Sequence, residues 1–378
     1  MKIRFFLFII LLFVNSCLIL PQVTSQKFLN GAMITCMVDV GNYLWISTYG
    51  QGIYKFNKST NEWQNYSTKN KNGESDFFFT IAANKNYVWA GAADGLYIYD
   101  IRTKHWRKRK FGLGGEMGNW IRALCYDPSQ NILWIGRFEN LTRLDVRRQR
   151  YTDYVLTQGK DAKSDNIKSI RLDGDSLVWF GTESGVFKYK KKMNVNNKNA
   201  WLYINNKDGG FLDDGNSVSI SDMVFDPADV WFGTDEFRSY QNPNFNVGGV
   251  YIYNRSHSWE RIANNDGLPA NGIYCLERTG NKIWAGVYYF DKNDKKDYGR
   301  GLVLIDRLTY KVTPINLNDI NIKSSKILCL YFDGMNMWIG TDDGLTKVLI
   351  GNKLAEWPGI KLKPSLKESP KRKLRIRK

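Results

Sequence analysis

Histidine is the side chain that most often serves as a general base near neutral pH, and this chain contains two, His105 and His257. They do not have the spacing of a histidine metal site. The sequence also lacks a Gly-x-Ser-x-Gly nucleophile elbow and a glycine-rich phosphate loop leading into a helix. The residue types therefore argue against an enzyme with a histidine base, and they predict no cofactor and no metal.

An acid-based site remains to be considered, because Asp222 stands in the apolar segment "SISDMVF" and Arg171 stands in the related segment "IKSIRLD". If the two segments are neighbouring strands, the carboxylate and the guanidinium can meet. Such a pair is more often a structural ion pair than a catalytic site. We expect the structural role for this pair.

Four cysteines follow the N-terminal segment, at Cys36, Cys125, Cys275 and Cys329, and three share one position in "ITCM", "IYCL" and "ILCL". A disulfide or a soft-metal cluster is one interpretation. The other is a small apolar residue in a packed strand, where free cysteine is commonly buried. The chain has no paired Cys-x-x-Cys spacing, which favours the packing role.

These residues lie in sequence repeats. Each repeat contains one tryptophan in a short motif such as "LWIST", "VWFGT" or "MWIGT". Successive tryptophans are 44, 45, 45, 52, 53 and 54 residues apart. A fixed period of this length indicates a repeat architecture. The repeat tryptophans are Trp45, Trp89, Trp134, Trp179, Trp231, Trp284 and Trp338.

Each repeat reads as four short strands, since apolar runs alternate with Asp, Asn, Gly and Pro turns. Seven units of four strands predict an all-β, seven-bladed β-propeller of antiparallel blades. We expect the seven tryptophans to pack between blades, and the glycine that follows each of six of them to leave room for a neighbouring backbone. The predicted blades lie near residues 34–77, 78–119, 120–165, 166–218, 219–271, 272–324 and 325–358.

The phrases "DGLPANGIYCL…IWAGV" and "SSKILCLYFDGMNMWIGTDDGLTKV" resemble the two-component regulator propeller repeat. The resemblance covers residues 28 to about 357 and is weakest in the second unit. In that family such propellers often form the extracytoplasmic sensing part of hybrid sensor kinases. No kinase or receiver pattern follows the last unit in this sequence, so the resemblance implies a sensory module that signals through another chain.

The fifth and sixth units are lengthened by two insertions, at residues 235–247 and 288–300, both rich in aromatic side chains. Aromatic rings beside amides and charges suit a sugar or a peptide, although two such loops can also simply pack together. We therefore predict a ligand site there, between two long loops. Its predicted residues are Phe237, Arg238, Tyr240, Tyr288, Tyr289, Phe290 and Tyr298.

The first 25 residues have the pattern of a secretory signal peptide, with Lys2 and Arg4 before an apolar stretch and small residues near Ser25. "VNSC" offers Cys17 as an alternative lipidation site, and an uncleaved anchor is a third reading. We expect an exported protein that is periplasmic, attached to the outer membrane, or secreted.

The tail, residues 361–378, carries nine lysines and arginines against one glutamate and reads as disordered. It is either a contact arm for an anionic surface or a solvated tail. The basic runs at residues 107–110 and 190–192 fall in predicted outer strands or turns, where solvated charge is usual. Nucleic acid is not an expected partner, because no base-stacking module is recognisable.

How the ring closes is left open by the sequence. "LAEWPG", with Trp357, can form the fourth strand of the seventh blade, or residues near Phe28 can pair with that blade instead. The function expected overall is an extracytoplasmic propeller that binds a carbohydrate, a peptide or a protein. The alternatives are a polysaccharide lyase or hydrolase and a non-catalytic scaffold.

Overall fold

In a computed structural model of the chain, the described residues are 24–112, 115–159 and 161–350. These residues form 28 strands in seven four-stranded antiparallel sheets, so the predicted seven-bladed β-propeller is confirmed. The predicted signal peptide, Cys17, Trp357 and the basic tail lie outside the described residues, apart from Thr24 and Ser25. Among the described residues, no helix has the length and apolar character needed to cross a membrane.

Six of the blades are built of four strands that follow one another in the sequence from the central channel outward. Blade I contains β2 (Ile34–Val40), β3 (Tyr43–Thr48), β4 (Ile53–Asn57) and β5 (Trp63–Tyr66); blade II contains β6 (Thr80–Ala83), β7 (Tyr87–Ala92), β8 (Gly95–Asp100) and β9 (His105–Arg109). Blade III contains β10 (Ile121–Asp127), β11 (Ile132–Arg137), β12 (Leu141–Asp145) and β13 (Arg150–Tyr154); blade IV contains β14 (Ile167–Asp173), β15 (Leu177–Thr182), β16 (Val186–Lys190) and β17 (Trp201–Ile204).

The remaining blades include the two lengthened units and the closing one. Blade V contains β18 (Ile220–Phe225), β19 (Val230–Phe237), β20 (Asn246–Tyr253) and β21 (Trp259–Ile262); blade VI contains β22 (Gly272–Thr279), β23 (Lys282–Asp291), β24 (Lys296–Asp306) and β25 (Val312–Pro314). Blade VII contains β26 (Ile327–Phe332), β27 (Asn336–Thr341), β28 (Gly344–Leu349) and β1 (Ser25–Phe28). Short 3-10 turns occur at Met117–Asn119, Ala162–Asp165, Lys198–Ala200, Phe211–Asp213, Asn264–Asp266 and Leu317–Ile320.

The outer strand of blade VII settles the question of ring closure. β1 pairs with β28 in register, from Ser25 opposite Val348 to Phe28 opposite Leu345. The chain's first described strand therefore completes its last blade, and the strand exchange near Phe28 is the closure observed. The interpretation that placed "LAEWPG" at this edge is wrong, because β1 already holds the hydrogen-bonding edge of β28.

The seven repeat tryptophans are at most 1% exposed, and each sits in an apolar cluster that it shares with an adjacent blade. Trp231 of blade V, for example, packs with Ile273 and Ile283 of blade VI. Gly233, two residues after Trp231, lets the blades approach: a Cβ there would lie 2.7 Å from Cγ2 of Ile273. Adjacent blades are thus held together by two residues of the same strand: a tryptophan whose ring fills the space between the blades, and a glycine that lets the backbones approach.

Candidate functional site

One face of the ring gathers all connections between the second and third strands of a blade and between successive blades, because the four strands alternate in direction. We call it the upper face. In blades V and VI the second and third strands extend far beyond the usual length: β23 has ten residues and β24 has eleven. The blade VI insertion predicted as a long loop is therefore mostly β-ribbon, because pairing continues from Tyr288 with Gly299 to Asp291 with Lys296. In blade V only residues 235–237 and 246–247 of the insertion belong to strands, and the rest is a loop.

A cavity of about 640 Å³ opens on the upper face among blades IV, V and VI. This volume suits a small ligand or a short segment of a polymer. Its lining combines aromatic rings with paired charges and hydroxyl groups. The lining residues are Lys163, Lys168, Glu183, Ser219, Ser221, Asp235, Glu236, Phe237, Phe245, Asn246, Ile273, Tyr274, Tyr288, Phe290 and Asp297.

The aromatic part of the lining comes from both ribbons. The ring centroid of Phe237 lies 4.8 Å from that of Phe290 and 6.0 Å from that of Phe245. Tyr274, on the inner strand of blade VI, lies 4.4 Å from Tyr288 in a tilted stack. Phe237 is 44% exposed, so its ring is available to a ligand. The rings thus form two aromatic groups in the cavity lining, Phe237 with Phe245 and Phe290, and Tyr274 with Tyr288.

Alternation along the ribbons decides which of the predicted residues reach the cavity. Side chains two residues apart on a strand share a face, so Tyr288 and Phe290 point to the cavity and Tyr289 points away. Tyr298 pairs with Tyr289 across the ribbon and is on the outer side, whereas Asp297, opposite Phe290, lines the cavity.

Of the seven residues predicted to bind a ligand, Phe237, Tyr288 and Phe290 are in the lining. Tyr288 is only 6% exposed and receives a hydrogen bond from the amide of Glu236, so its role is to form the wall. Arg238 does not line the cavity but pairs with Glu236 at 3.1 Å. The other three lie outside the lining: Tyr240, Tyr289 and Tyr298.

Four carboxylates stand in the polar lining, and each pairs with a lysine or arginine. Asp235 contacts Lys168 and accepts a hydrogen bond from the Ser219 hydroxyl at 2.6 Å. Burial disfavours ionisation of Asp235, but Lys168 and Ser219 outweigh it, so the pKa of this carboxyl lies below its ordinary value. The cavity therefore presents an ionised, oriented acceptor.

Tyr274 and Asp297 form the second such group. The Tyr274 hydroxyl donates to Asp297, and Lys326 lies 2.9 Å from the same carboxylate. Burial and then Asp297 raise the pKa of the Tyr274 phenol, so it stays protonated and remains a donor. The charges of this group compensate one another within the protein.

Two polar atoms in the lining are buried and have no hydrogen-bond partner within the described part of the chain: Oδ1 of Asn246 and Oγ of Ser221. Buried polar groups are nearly always satisfied, and leaving one unpaired is costly. Both atoms belong to residues of blade V that line the cavity. A bound molecule with hydroxyl or amide groups is one way to satisfy them.

Sequence reasoning missed a second aromatic feature on the upper face, an arc across blades I to III. Tyr49 contacts Phe77 and Phe79, with centroids 5.0 Å and 5.4 Å away. Phe79 continues to Trp120 at 5.6 Å, and Trp120 stacks on Phe138 at 5.3 Å and 4°. Their places in connections between strands were the available signal, since those connections converge on this face.

The arc joins the cavity through a bulge residue of an inner strand. Arg122 lies over the rings of Trp120 and Phe138 and binds Glu183 of the cavity lining at 2.7 Å. The register irregularity in β10 lets this side chain reach the next blade. Aromatic and charged groups on the upper face thus extend from blade I to blade VI.

The central channel contains the acid and base anticipated from the sequence. Arg171 of β14 donates to Asp222 of β18 at 2.9 Å, and Asp222 is only 5% exposed. The carboxylate also accepts from the amides of Met223 at 2.8 Å and of Leu276 at 3.0 Å. Asp222 therefore connects blades IV, V and VI, which supports the structural role.

Four cysteines line the inner strands as free thiols. Cys36, Cys275 and Cys329 each direct Sγ at the carbonyl of an isoleucine in an adjacent blade, at 3.6 to 3.9 Å. Burial raises the pKa of Cys275 and Cys329 well above the usual range for a thiol, which suppresses thiolate chemistry. Among the described residues no cluster of His, Cys, Asp and Glu has the arrangement of a metal site.

No protein-family model matches the sequence. The chain is similar to Histidine kinase P4 of Formosa agariphila, at 24% identity over 273 residues, which cover 67% of this chain and 18% of that protein. The alignment therefore spans less than a fifth of the curated relative.

Among solved structures, the chain resembles the extracellular domain of BT4673 from B. thetaiotaomicron, which is described both as a one-component and as a hybrid two-component system. The TM-score is 0.64 at 16% identity, with 86% of this chain and 40% of that chain covered. It also resembles virginiamycin B lyase from Staphylococcus aureus, with a TM-score of 0.58 at 11% identity, covering 86% and 99% of the two chains. One fold is thus shared by a sensor domain and a lyase, and it does not by itself assign an activity.

Proposed function

We propose that this chain is an extracytoplasmic recognition propeller, a sensory module that binds its ligand in the cavity of blades IV to VI. The observation that carries the proposal is the buried, unpartnered pair Asn246 Oδ1 and Ser221 Oγ inside a cavity that also offers exposed aromatic rings. The similarity to a histidine kinase and to an extracellular sensor domain supports the sensory part.

The ligand class that matches the cavity is an uncharged molecule with many hydroxyl groups, such as a short oligosaccharide. The carboxylates of Asp235 and Asp297 are already neutralised by Lys168 and Lys326, so a ligand need not bring a net charge. Fixed acceptors such as these bind hydroxyl donors, and the rings of Phe237 and Phe290 offer apolar area to a sugar face.

A thermal-shift screen of the full chain against neutral monosaccharides, oligosaccharides and short peptides tests the proposal. We expect a neutral oligosaccharide to raise the unfolding temperature, since binding to the native state alone stabilises it by about 2.7 kcal/mol at a hundredfold excess over Kd. The double variant Phe237→Ala, Phe290→Ala should abolish the shift.

The matched control is Tyr289→Ala with Tyr240→Ala. Tyr289 lies on the blade VI ribbon and Tyr240 in the loop of the blade V insertion, both outside the cavity lining, so their removal should leave the shift intact. Loss of the shift in both double variants would place the ligand elsewhere on the ribbons. Absence of any shift across the screen would favour a scaffold that binds no small ligand.

A further inference from the structure

The outer edges of blades II and III carry a concentration of positive charge that the proposed cavity does not explain. Residues 102–110 contain six lysines and arginines and no acid; residues 143–150 contain four arginines and one aspartate. We call these two segments the basic rim. They are separate in sequence and come together in the fold, because β9 and the turn before β13 are the outer parts of adjacent blades.

Two contacts show that the segments form one surface. Arg107 of β9 donates from Nη2 to Oε1 of Gln149 at 2.8 Å. The Arg109 guanidinium lies 3.7 Å from the centroid of the Tyr151 ring on β13. Arg107 and Arg109, two residues apart on a strand, point to the same side, towards the seam with blade III. Two arginines of blade II therefore reach across the seam, where the exposed blade III arginines of residues 147–150 flank Gln149.

Little negative charge compensates the rim. Asp145 pairs with Arg148 at 3.3 Å, and Asp94 pairs with Lys108. The basic rim thus has a net charge of +9 within a chain of net charge +17. Residues 1–23 contribute +2 and residues 361–378 contribute +8, which leaves −2 for all other residues. The positive charge of the propeller is therefore concentrated in the basic rim, and the rest of the propeller has nearly equal numbers of positive and negative charges.

We propose that the basic rim binds an acidic polysaccharide chain along the seam between blades II and III. Clustered like charges repel one another, and a polyanion relieves that repulsion while releasing its own counterions. Arginine predominates in the seam, and its planar guanidinium suits paired oxygens such as those of carboxylate and sulfate groups.

The geometry favours a polymer chain over a membrane surface. Arg107 and Arg109 stand in a line along the seam between two blades, and a line of charge matches a polymer chain better than a flat bilayer. Neither segment of the basic rim contributes an exposed large apolar side chain that could insert among lipids. This site is separate from the cavity of blades IV to VI, so the inference does not depend on the proposed function.

The test measures binding of the full chain to heparin and to polygalacturonate, with anionic phosphatidylserine vesicles and duplex DNA as competing probes. The variant Arg107→Gln, Arg109→Gln, Arg147→Gln removes three rim charges. We expect it to bind the polysaccharides at least about tenfold more weakly, with a shallower dependence of log Kd on log salt.

The matched control is Lys69→Gln, Lys71→Gln, Lys207→Gln, which removes the same charge from exposed positions elsewhere. It should change Kd by less than about twofold, since charges beyond a Debye length of about 10 Å are screened. Equal weakening by both triple variants would overturn the proposal, as would binding that survives the rim variant but disappears when residues 361–378 are removed. Stronger binding to the vesicles or to duplex DNA than to either polysaccharide would also overturn it.

Discussion

At the scale of single residues, the central channel holds the most closely coupled group, formed by Asp222, Arg171 and Glu277. Asp222 is held by a guanidinium and two amides from three blades. Glu277, on β22, is affected differently. Burial raises its pKa to about 7, and the nearby Asp222 adds to the rise, although the Arg278 amide and Arg171 lower it. Glu277 therefore stays partly protonated near neutral pH, unlike an exposed glutamate.

This difference predicts a pH dependence of stability that Glu277→Gln removes. The native pKa of about 7 exceeds the unfolded value of about 4.3, so the native state binds the proton more tightly. The contribution of Glu277 is therefore fully present below about pH 4.3 and is lost as the pH rises through about 7. We expect the unfolding temperature of the wild type, relative to Glu277→Gln, to fall across this range and to level off above it.

Thermal unfolding of both proteins in matched buffers gives the measurement. Asp165, whose pKa burial raises to about 6, titrates in the same range but is present in both proteins, so the difference between them cancels it. A difference in unfolding temperature that stays constant with pH would show that Glu277 ionises normally in the native channel.

At the scale of elements, ring closure depends on β1, a strand of four residues. Phe28 at its end contacts three aromatic rings, those of Trp63 at 5.2 Å, Phe56 at 5.9 Å and Trp338 at 6.0 Å. Trp338 belongs to blade VII and the other two to blade I. Phe28 therefore ties the last blade to the first, while the backbone of β1 completes the sheet.

We expect Phe28→Ala to lower the free energy of unfolding by about 2 kcal/mol, less than for a fully buried phenylalanine because Phe28 is half-buried. Urea unfolding followed by tryptophan fluorescence measures it. Trp357→Ala is the matched comparison and should have an effect below about 0.5 kcal/mol, since β1 already fills the edge of β28. A larger loss from Trp357→Ala than from Phe28→Ala would mean that the C-terminal segment closes the ring.

At the scale of the whole molecule, the seven apolar clusters are each built from more than one blade, so no blade has a core of its own. Ile283 in blade VI, for instance, is fully buried in a cluster that includes Trp231 of blade V. Because the ring has no free ends, loosening one junction removes support from its neighbours. This arrangement favours a single cooperative unfolding transition.

Ile283→Ala should therefore destabilise the entire ring, by about 3 kcal/mol, and circular dichroism and fluorescence should still report one coincident transition. Leu202→Ala on the outer strand β17, where the side chain is 42% exposed, is the control and should cost less than about 0.5 kcal/mol. Separate transitions for the two probes in Ile283→Ala would show that the blades unfold independently.

The sequence by itself determined the number of blades, the four-strand repeat and the burial of the tryptophans. These features follow from local periodicity: a strand with a tryptophan recurs in all seven units, and a glycine follows it in six of them. The pairing of Asp222 with Arg171 could also be anticipated, since the inner strands of consecutive blades lie side by side and the two residues stand only two positions apart in the repeat.

Tertiary structure alone decided the closing strand, the composition of the cavity and the basic rim. Nothing in "SQKF" indicates a partner more than 300 residues away, because pairing at a sheet edge uses backbone groups that every residue other than proline carries in full. Tyr288 and Tyr289 look alike in sequence, yet the direction of one ribbon sends the first into the cavity wall and the second outward. Arg107 and Arg147 likewise look like ordinary surface charges in the sequence. Only the fold brings their segments together on adjacent blades, and the electrostatic potential depends on distances in space and not on separation along the chain.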